Sequence, residues 1–200
     1  MPAAVLPLAL ENEPGRKRFT RGEVYRMLEA GLFEGRRFEL IDGEVVDKMG
    51  QNPPHAGAIR RIKIWLSNVF GLDRVQGQLP LDVAPPDREL NEPDPDFFVL
   101  AELKPEYDRR HPRGDETLLV VEVSDTSLRR DTRTKRDLYT RAGVPEYWVA
   151  NVPSRKLIVH REPIAGYYRQ VSTYSEGDLV SAASAPEMSI LVAQLFGGEY

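Results

Sequence analysis

A chain of 200 residues, 41% hydrophobic and 29% charged, carries enough apolar material for one sizeable domain, and its net charge of −4 argues against coating nucleic acid by positive charge alone. The absence of cysteine removes disulfides, thiolate nucleophiles and cysteine zinc sites, and the histidines, His55, His111 and His160, never share a helical turn, so any metal should be a hard, oxygen-liganded ion. No apolar run approaches bilayer length, and Met1 to Leu10 lacks a basic leader and is broken by Pro2 and Pro7, so the expectation is a cytoplasmic protein with no membrane partner.

Residues 1–18 mix proline, glycine and charge and read as a flexible lead-in to a single domain over residues 19–200. Thr20 and Glu23 form a capping box, and Val24, Met27, Leu28 and Leu32 recur on one face, which predicts a helix from about Thr20 to Leu32. A hairpin follows, Phe38 to Ile41 and Glu44 to Val46 around the turn pair Asp42 and Gly43. Its register sets Ile41 opposite Glu44 and Glu39 opposite Val46, leaving both glutamates on one face. Pro53 and Pro54 open a second helix through about Phe70, with Ile59, Ile62, Leu66 and Val69 as its buried stripe and Gly71 as its stop. Strands are predicted at Val75 to Val83 and Phe97 to Leu100, then at Thr117 to Ser124, whose β-branched and leucine content implies burial on both faces. A third helix over about Asp131 to Ala142 stops at Gly143. Strands at Glu146 to Ala150, Lys156 to His160 and Tyr167 to Ser172 precede a short apolar segment near Leu191 to Phe196. This order describes an α/β (α+β) domain, a mixed sheet flanked by helices.

Glu122 stands out, because an ionised carboxylate inside so apolar a strand is costly unless a cation or metal compensates it. Alternation puts Val120, Glu122 and Ser124 on one face. In the next helix Lys135 shares a stripe with Leu138, Tyr139 and Ala142, so its stem heads for the sheet and its ammonium can reach the Glu122 pocket. Each also has an ordinary structural explanation, a salt bridge for Glu122 and a lysine snorkelling from the stripe edge for Lys135. Asp96 follows Pro95 at the mouth of an apolar strand, with Asp94 one alternation step away as the competing candidate. Two carboxylates from neighbouring strands make a hard oxygen site suited to Mg²⁺ or Mn²⁺. Arginines crowd 129 to 141 and carboxylates gather at 89 to 96 and 102 to 108, a pattern shared by nucleases and by ordinary solvated faces.

Taken together, Phe38 to Glu44, Pro54-His55, Pro95-Asp96, Val121 to Ser124, Asp131 with Lys135, and above all Tyr139 to Trp148 resemble the Uma-type restriction endonuclease family of the PD-(D/E)xK phosphodiesterase superfamily. The likeness runs from about Phe19 to the C-terminus. It implies a restriction-endonuclease-like core and Asp96 and Glu122 as metal ligands, with the carbonyl of Val123 as a third donor. One departure stands out: the superfamily usually has its lysine two residues after the second acid, where this chain has Ser124, and Lys135 on the following helix takes that part. Glu39, with Glu44 in reserve, corresponds to the upstream acid. His55 opens a helix where it could contact a phosphate or simply cap, and Tyr147 and Trp148 read as core aromatics.

The expected activity is metal-dependent hydrolysis of phosphodiester bonds in nucleic acid, with DNA as the expected substrate, by a homodimer. Asp96 and Glu122 hold the metal, Lys135 positions the water and Glu39 assists. Two other readings compete: an inert nuclease-like module that binds nucleic acid or a protein, and a sugar hydrolase using Glu122 and Glu39 as its carboxylate pair.

Overall fold

The computed structural model describes residues 17–48 and 52–197. The expected lead-in over residues 1–18 therefore lies outside the described residues, apart from Lys17 and Arg18. Helix α1 (Arg21–Glu29) starts at Thr20, whose hydroxyl accepts from the Glu23 amide while Glu23 reaches back to the Thr20 N–H, and it ends sooner than the apolar spacing suggests. Gly31, at φ 78°, turns the chain before Leu32 can join the helix. Strands β1 (Phe38–Ile41) and β2 (Glu44–Asp47) form the predicted hairpin, with Glu39 opposite Val46 and Ile41 opposite Glu44. Helix α2 (Pro53–Phe70) is capped by the Asn52 side chain and closed by Gly71. Ile62 and Leu66 of its predicted stripe are fully buried, and Trp65 joins them, stacked on Trp148 at 5.4 Å.

The predicted strand Val75 to Val83 is corrected. Only β3 (Val75–Gln76) forms a strand, after which Gln78 adopts a positive φ of 58° and Pro80 removes an amide, so the ladder cannot continue and Asp82 makes no more than an isolated bridge with Arg113. Leu81 instead donates to the Pro93 carbonyl, and the segment continues as a loop whose Leu81 and Val83 are buried in the core. Strand β4 (Phe97–Leu100) is buried throughout, and β5 (Thr117–Ser124) is buried on both faces.

The third helix also differs from expectation. It begins earlier, as Leu128–Arg130, widens into a π-helical turn over Asp131–Lys135, and resumes as Arg136–Arg141; we call the whole run α3. Strands β6 (Glu146–Asn151), β7 (Lys156–Ile164) and β8 (Tyr167–Tyr174) follow, the last two longer than periodicity suggests because the hairpin between them extends past the core. A small β9 (Leu179–Val180) pairs with β10 (Ile190–Leu191) ahead of α4 (Val192–Phe196).

Six strands form one mixed sheet in the order β3-β4-β5-β6-β7-β8, antiparallel except between β5 and β6, where α3 makes the crossover. Alternation splits the core in two. Leu119, Val121 and Val123 face α2 and α4, whereas Val120 packs with Phe98, Tyr139, Tyr147 and Val149 beneath α3. Glu122 belongs to the α3 side, in line with Val120. Among the described residues no helix is long and apolar enough to cross a membrane.

Candidate active site

The site lies where the hairpin, the mouth of β4, the end of β5 and the π-helical turn of α3 converge. Antiparallel pairing of Phe97 with Val121 and Phe98 with Val120, carried one residue further, sets Asp96 opposite Glu122 on the face beneath α3. Asp96 Oδ2 accepts from the Val123 amide at 2.8 Å, which fixes the carboxylate against β5. The rival Asp94 is taken up elsewhere: its Oδ2 is 2.8 Å from Arg37 and 3.3 Å from Lys48, and its backbone N–H donates to Glu39 Oε2. Asp96, not Asp94, lines the cleft.

Lys135 sits at the centre. Its Nζ is 2.7 Å from Glu39 Oε2 and 2.8 Å from Glu122 Oε1, and all three side chains are almost wholly buried. Asp131 and Lys135, four residues and about one turn apart, are both buried on the inner face of α3. Tyr139, one turn on, donates its hydroxyl to the same Glu122 Oε1 at 2.8 Å. The stripe of Lys135, Leu138, Tyr139 and Ala142 foretold that Tyr139 is buried, but not that its hydroxyl meets Glu122. The two glutamates of the hairpin share a face yet part company: Glu39 is buried against the 90–94 segment, and Glu44, nearer the turn, is exposed.

Around this centre Ser124 and Ser127 hydroxyls lie 3.3 Å apart, and Ser127 donates to Asp131 Oδ2 at 2.5 Å. The serine that stands where a lysine was to be expected thus opens a hydroxyl chain leading to another buried acid. His55 is not a bare cap residue, since Asn52 caps α2. Its ring Nε2 donates to the Val123 carbonyl at 2.7 Å, the carbonyl expected as a third metal donor. Tyr147 and Trp148 are buried core aromatics, Tyr147 donating to the Asp131 carbonyl and Trp148 to Glu146.

The electrostatics are unbalanced. Burial pushes the Glu122 carboxyl up, to about 8, and Asp131, Asp96 and Glu39 add to the rise while Lys135 only partly offsets it. Burial opposes ionisation of Glu39 as well, yet Lys135, Lys48 and the Asp94 amide outweigh it and hold this carboxyl below its ordinary range. Burial likewise raises Asp131. Lys135 remains firmly protonated: burial disfavours its charge, but Glu122, Glu39 and Asp131 together more than compensate. The two carboxylates it bonds behave oppositely because Glu39 has a second ammonium, Lys48, nearby, whereas the only ammonium acting on Glu122 is Lys135 and its other charged neighbours are acids.

Among the described residues no three His, Asp or Glu side chains are drawn together as a ready-made metal cage. A pair of opposed carboxylates with a backbone carbonyl nearby nevertheless fits a magnesium-type ion, which retains several waters, and the surplus of acid over ammonium is what a divalent cation relieves. The floor opens into a cleft of about 1070 Å³ whose lining includes Glu39, Asp96, Glu122, Asp131 and Lys135, with Arg36, Arg37, Lys48 and Arg130 among its other residues. Acids at the floor and cations in the walls suit an anionic polymer cut at a metal-assisted centre.

Comparison with known proteins agrees with this architecture. The Uma2 family model, described as "Putative restriction endonuclease", matches residues 22–193. A crystal structure described as "a putative nuclease belonging to DUF820", from Anabaena variabilis, superposes with a TM-score of 0.60 over 80% of this chain and 89% of that one, at 17% identity, a likeness of fold alone. No curated protein matches the chain.

Proposed function

The chain belongs to the Uma2 restriction endonuclease family, and from that premise we propose that it is a metal-dependent endonuclease that hydrolyses phosphodiester bonds, with DNA as its substrate. One observation carries the reading: a buried lysine bridges Glu39 and Glu122 opposite Asp96, at the floor of an open cleft that holds more acid than its ammonium can neutralise.

Asp96 and Glu122 would hold Mg²⁺ or Mn²⁺, with the Val123 carbonyl as third donor. His55 occupies one lone pair of that carbonyl and leaves the other available. Bound there, the cation would neutralise the floor, polarise the phosphate and acidify its water. The Lys135 ammonium has three protons, of which Glu39 and Glu122 take two. The third is directed to the attacking water, so that the lysine orients the nucleophile while holding both acids. Glu39, kept ionised by Lys135 and Lys48, accepts a proton from that water as it attacks in line with the leaving oxygen. Tyr139 fixes the Glu122 rotamer from the far side. The single domain over residues 19–200 would act as a homodimer, presenting two such centres to a two-fold symmetric duplex.

The test is cleavage of supercoiled plasmid and single-stranded DNA in Mg²⁺, Mn²⁺ or chelator, with Asp96→Ala, Glu122→Ala and Lys135→Ala compared at equal folded concentration. Metal-dependent nicking that disappears in each variant is expected. A wild type inert on every substrate would point instead to a nuclease-like module that only binds. Full activity in chelator would overturn the metal-dependent mechanism.

A further inference from the structure

If the Lys135 ammonium is committed to Glu39, Glu122 and a water, it has no proton left for the substrate, so apart from the metal the cations that meet the polymer's phosphates must come from the cleft walls. The cleft offers Arg36, Arg37, Lys48 and Arg130. Three of these are already engaged. Arg36 lies 3.6 Å from Asp47, Arg37 lies 2.8 Å from Asp94, and Lys48 lies 3.3 Å from Asp94 and also donates to that residue's carbonyl. Arg130 alone of the four makes no side-chain ion pair or hydrogen bond among the described residues, and it is partly exposed at the start of α3, beside Asp131. Arg129 and Arg133, on the same helical run, are exposed and equally without a carboxylate partner among the described residues.

We propose that Arg130 is the substrate-binding residue that grips a backbone phosphate of the nucleic acid at the cleft, with Arg129 and Arg133 extending the grip along the outer face of α3. This rests on the endonuclease reading and names the part of the chain that holds its polymer. The chemistry suits the task. A guanidinium presents two parallel N–H donors to a phosphate, and one not already neutralised by a carboxylate has no partner to give up on binding. Positions 129 and 133 are one turn apart, and 130 and 133 are neighbours at i, i+3, so the three cations form a short row rather than scattered charges. The acids at the floor repel the polymer, so the row also supplies the attraction that a chain of net charge −4 lacks overall.

Fluorescence-anisotropy titration of labelled single-stranded and duplex oligonucleotides, over a range of salt concentrations in chelator, tests this without relying on turnover. The full chain is compared with Arg130→Ala, Arg130→Lys and Arg129→Ala/Arg133→Ala, and with Arg169→Ala as control, an exposed β8 residue paired with Glu162. Arg130→Ala should weaken binding about tenfold and lower the salt slope by about one. Arg130→Lys should keep the slope while losing part of the affinity, the double variant should lower it further, and Arg169→Ala should match the wild type. Wild-type affinity and slope in Arg130→Ala would overturn the assignment while leaving the endonuclease intact. No binding by the wild type, with or without metal, would overturn the nucleic-acid reading and this inference with it.

Discussion

At the scale of single residues, the balance of the molecule is set by which buried groups carry charge. Glu122 is held up to about 8 by burial and neighbouring acids, so the folded, metal-free chain favours its neutral form. A raised carboxyl contributes stability that is full below its ordinary value of 4.5 and is lost as pH rises through the folded value, so this contribution should fall away between about pH 4.5 and 8. His160 works in the opposite sense. Burial lowers it to about 4, with Tyr147's carbonyl and the stacked Tyr147 ring around it, so its neutral form contributes stability above 6.5 that is lost as pH falls through 4. That contribution is on the order of 3 kcal/mol. The thermal unfolding temperature in chelator should therefore be highest across a plateau from about pH 4.5 to 6.5, where the two contributions offset each other, and should fall towards pH 8 on the alkaline side and towards pH 4 on the acid side. Glu122→Gln, which keeps an oxygen for Lys135 and Tyr139 to donate to, should flatten the alkaline limb and melt at or above the wild type at pH 9 while losing cleavage. His160→Gln should flatten the acid limb and leave cleavage at neutral pH unchanged. A wild type equally stable at pH 6 and pH 9 would contradict the account of Glu122.

At the scale of elements, each piece of the site is held by packing that has no chemistry of its own. Helix α2 carries His55 to the Val123 carbonyl, and it is seated on the sheet through Ala58, Ile62, Leu66 and the stack of Trp65 on Trp148. Trp65→Ala should cost roughly 3–5 kcal/mol, from lost apolar contact and the cavity left behind. Loss of the Asn52 cap should cost about 1 kcal/mol. Urea denaturation separates the two, and equal costs would mean that α2 is held by its end rather than by its face. The hairpin is fixed differently. Gly43 donates to Leu90 and Leu40 exchanges hydrogen bonds with Glu92, so the loop before β4 clamps Glu39 into the site. The π-helical turn of α3 is the element that carries both Asp131 and Lys135, four residues apart on its buried face, into the site.

At the scale of the molecule, the sheet brings together acids that lie far apart in the chain and leaves their surplus charge facing an open cleft. A symmetric duplex is best met by two such clefts. Gel filtration with light scattering at micromolar concentration should accordingly give a mass near twice 22.7 kDa. A strict monomer at that concentration would remove the paired-site model, although each cleft would remain intact.

Much of this architecture was legible in the residues themselves. The Thr20 and Glu23 capping box, the Asp42-Gly43 turn with its register, the helix opened by Pro53 and Pro54 and closed by Gly71, and the largely apolar β5 are local patterns, set by hydrogen bonds and periodicities that span a few residues. Glu122 inside β5 and Lys135 on an apolar stripe signalled a compensated pair by the same logic, since neither charge could be buried alone. Other features exist only once distant segments meet. The choice of Asp96 over Asp94 depends on Arg37 and Lys48 capturing one of them, and Glu39 differs from Glu44 because the 90–94 segment covers it. The shortened β3 and the widened turn of α3 likewise yield to tertiary demands that propensity does not encode. Sequence determines which local conformations and which buried charges need partners; which partners they receive is decided by long-range packing, where burial and electrostatics outweigh local preference.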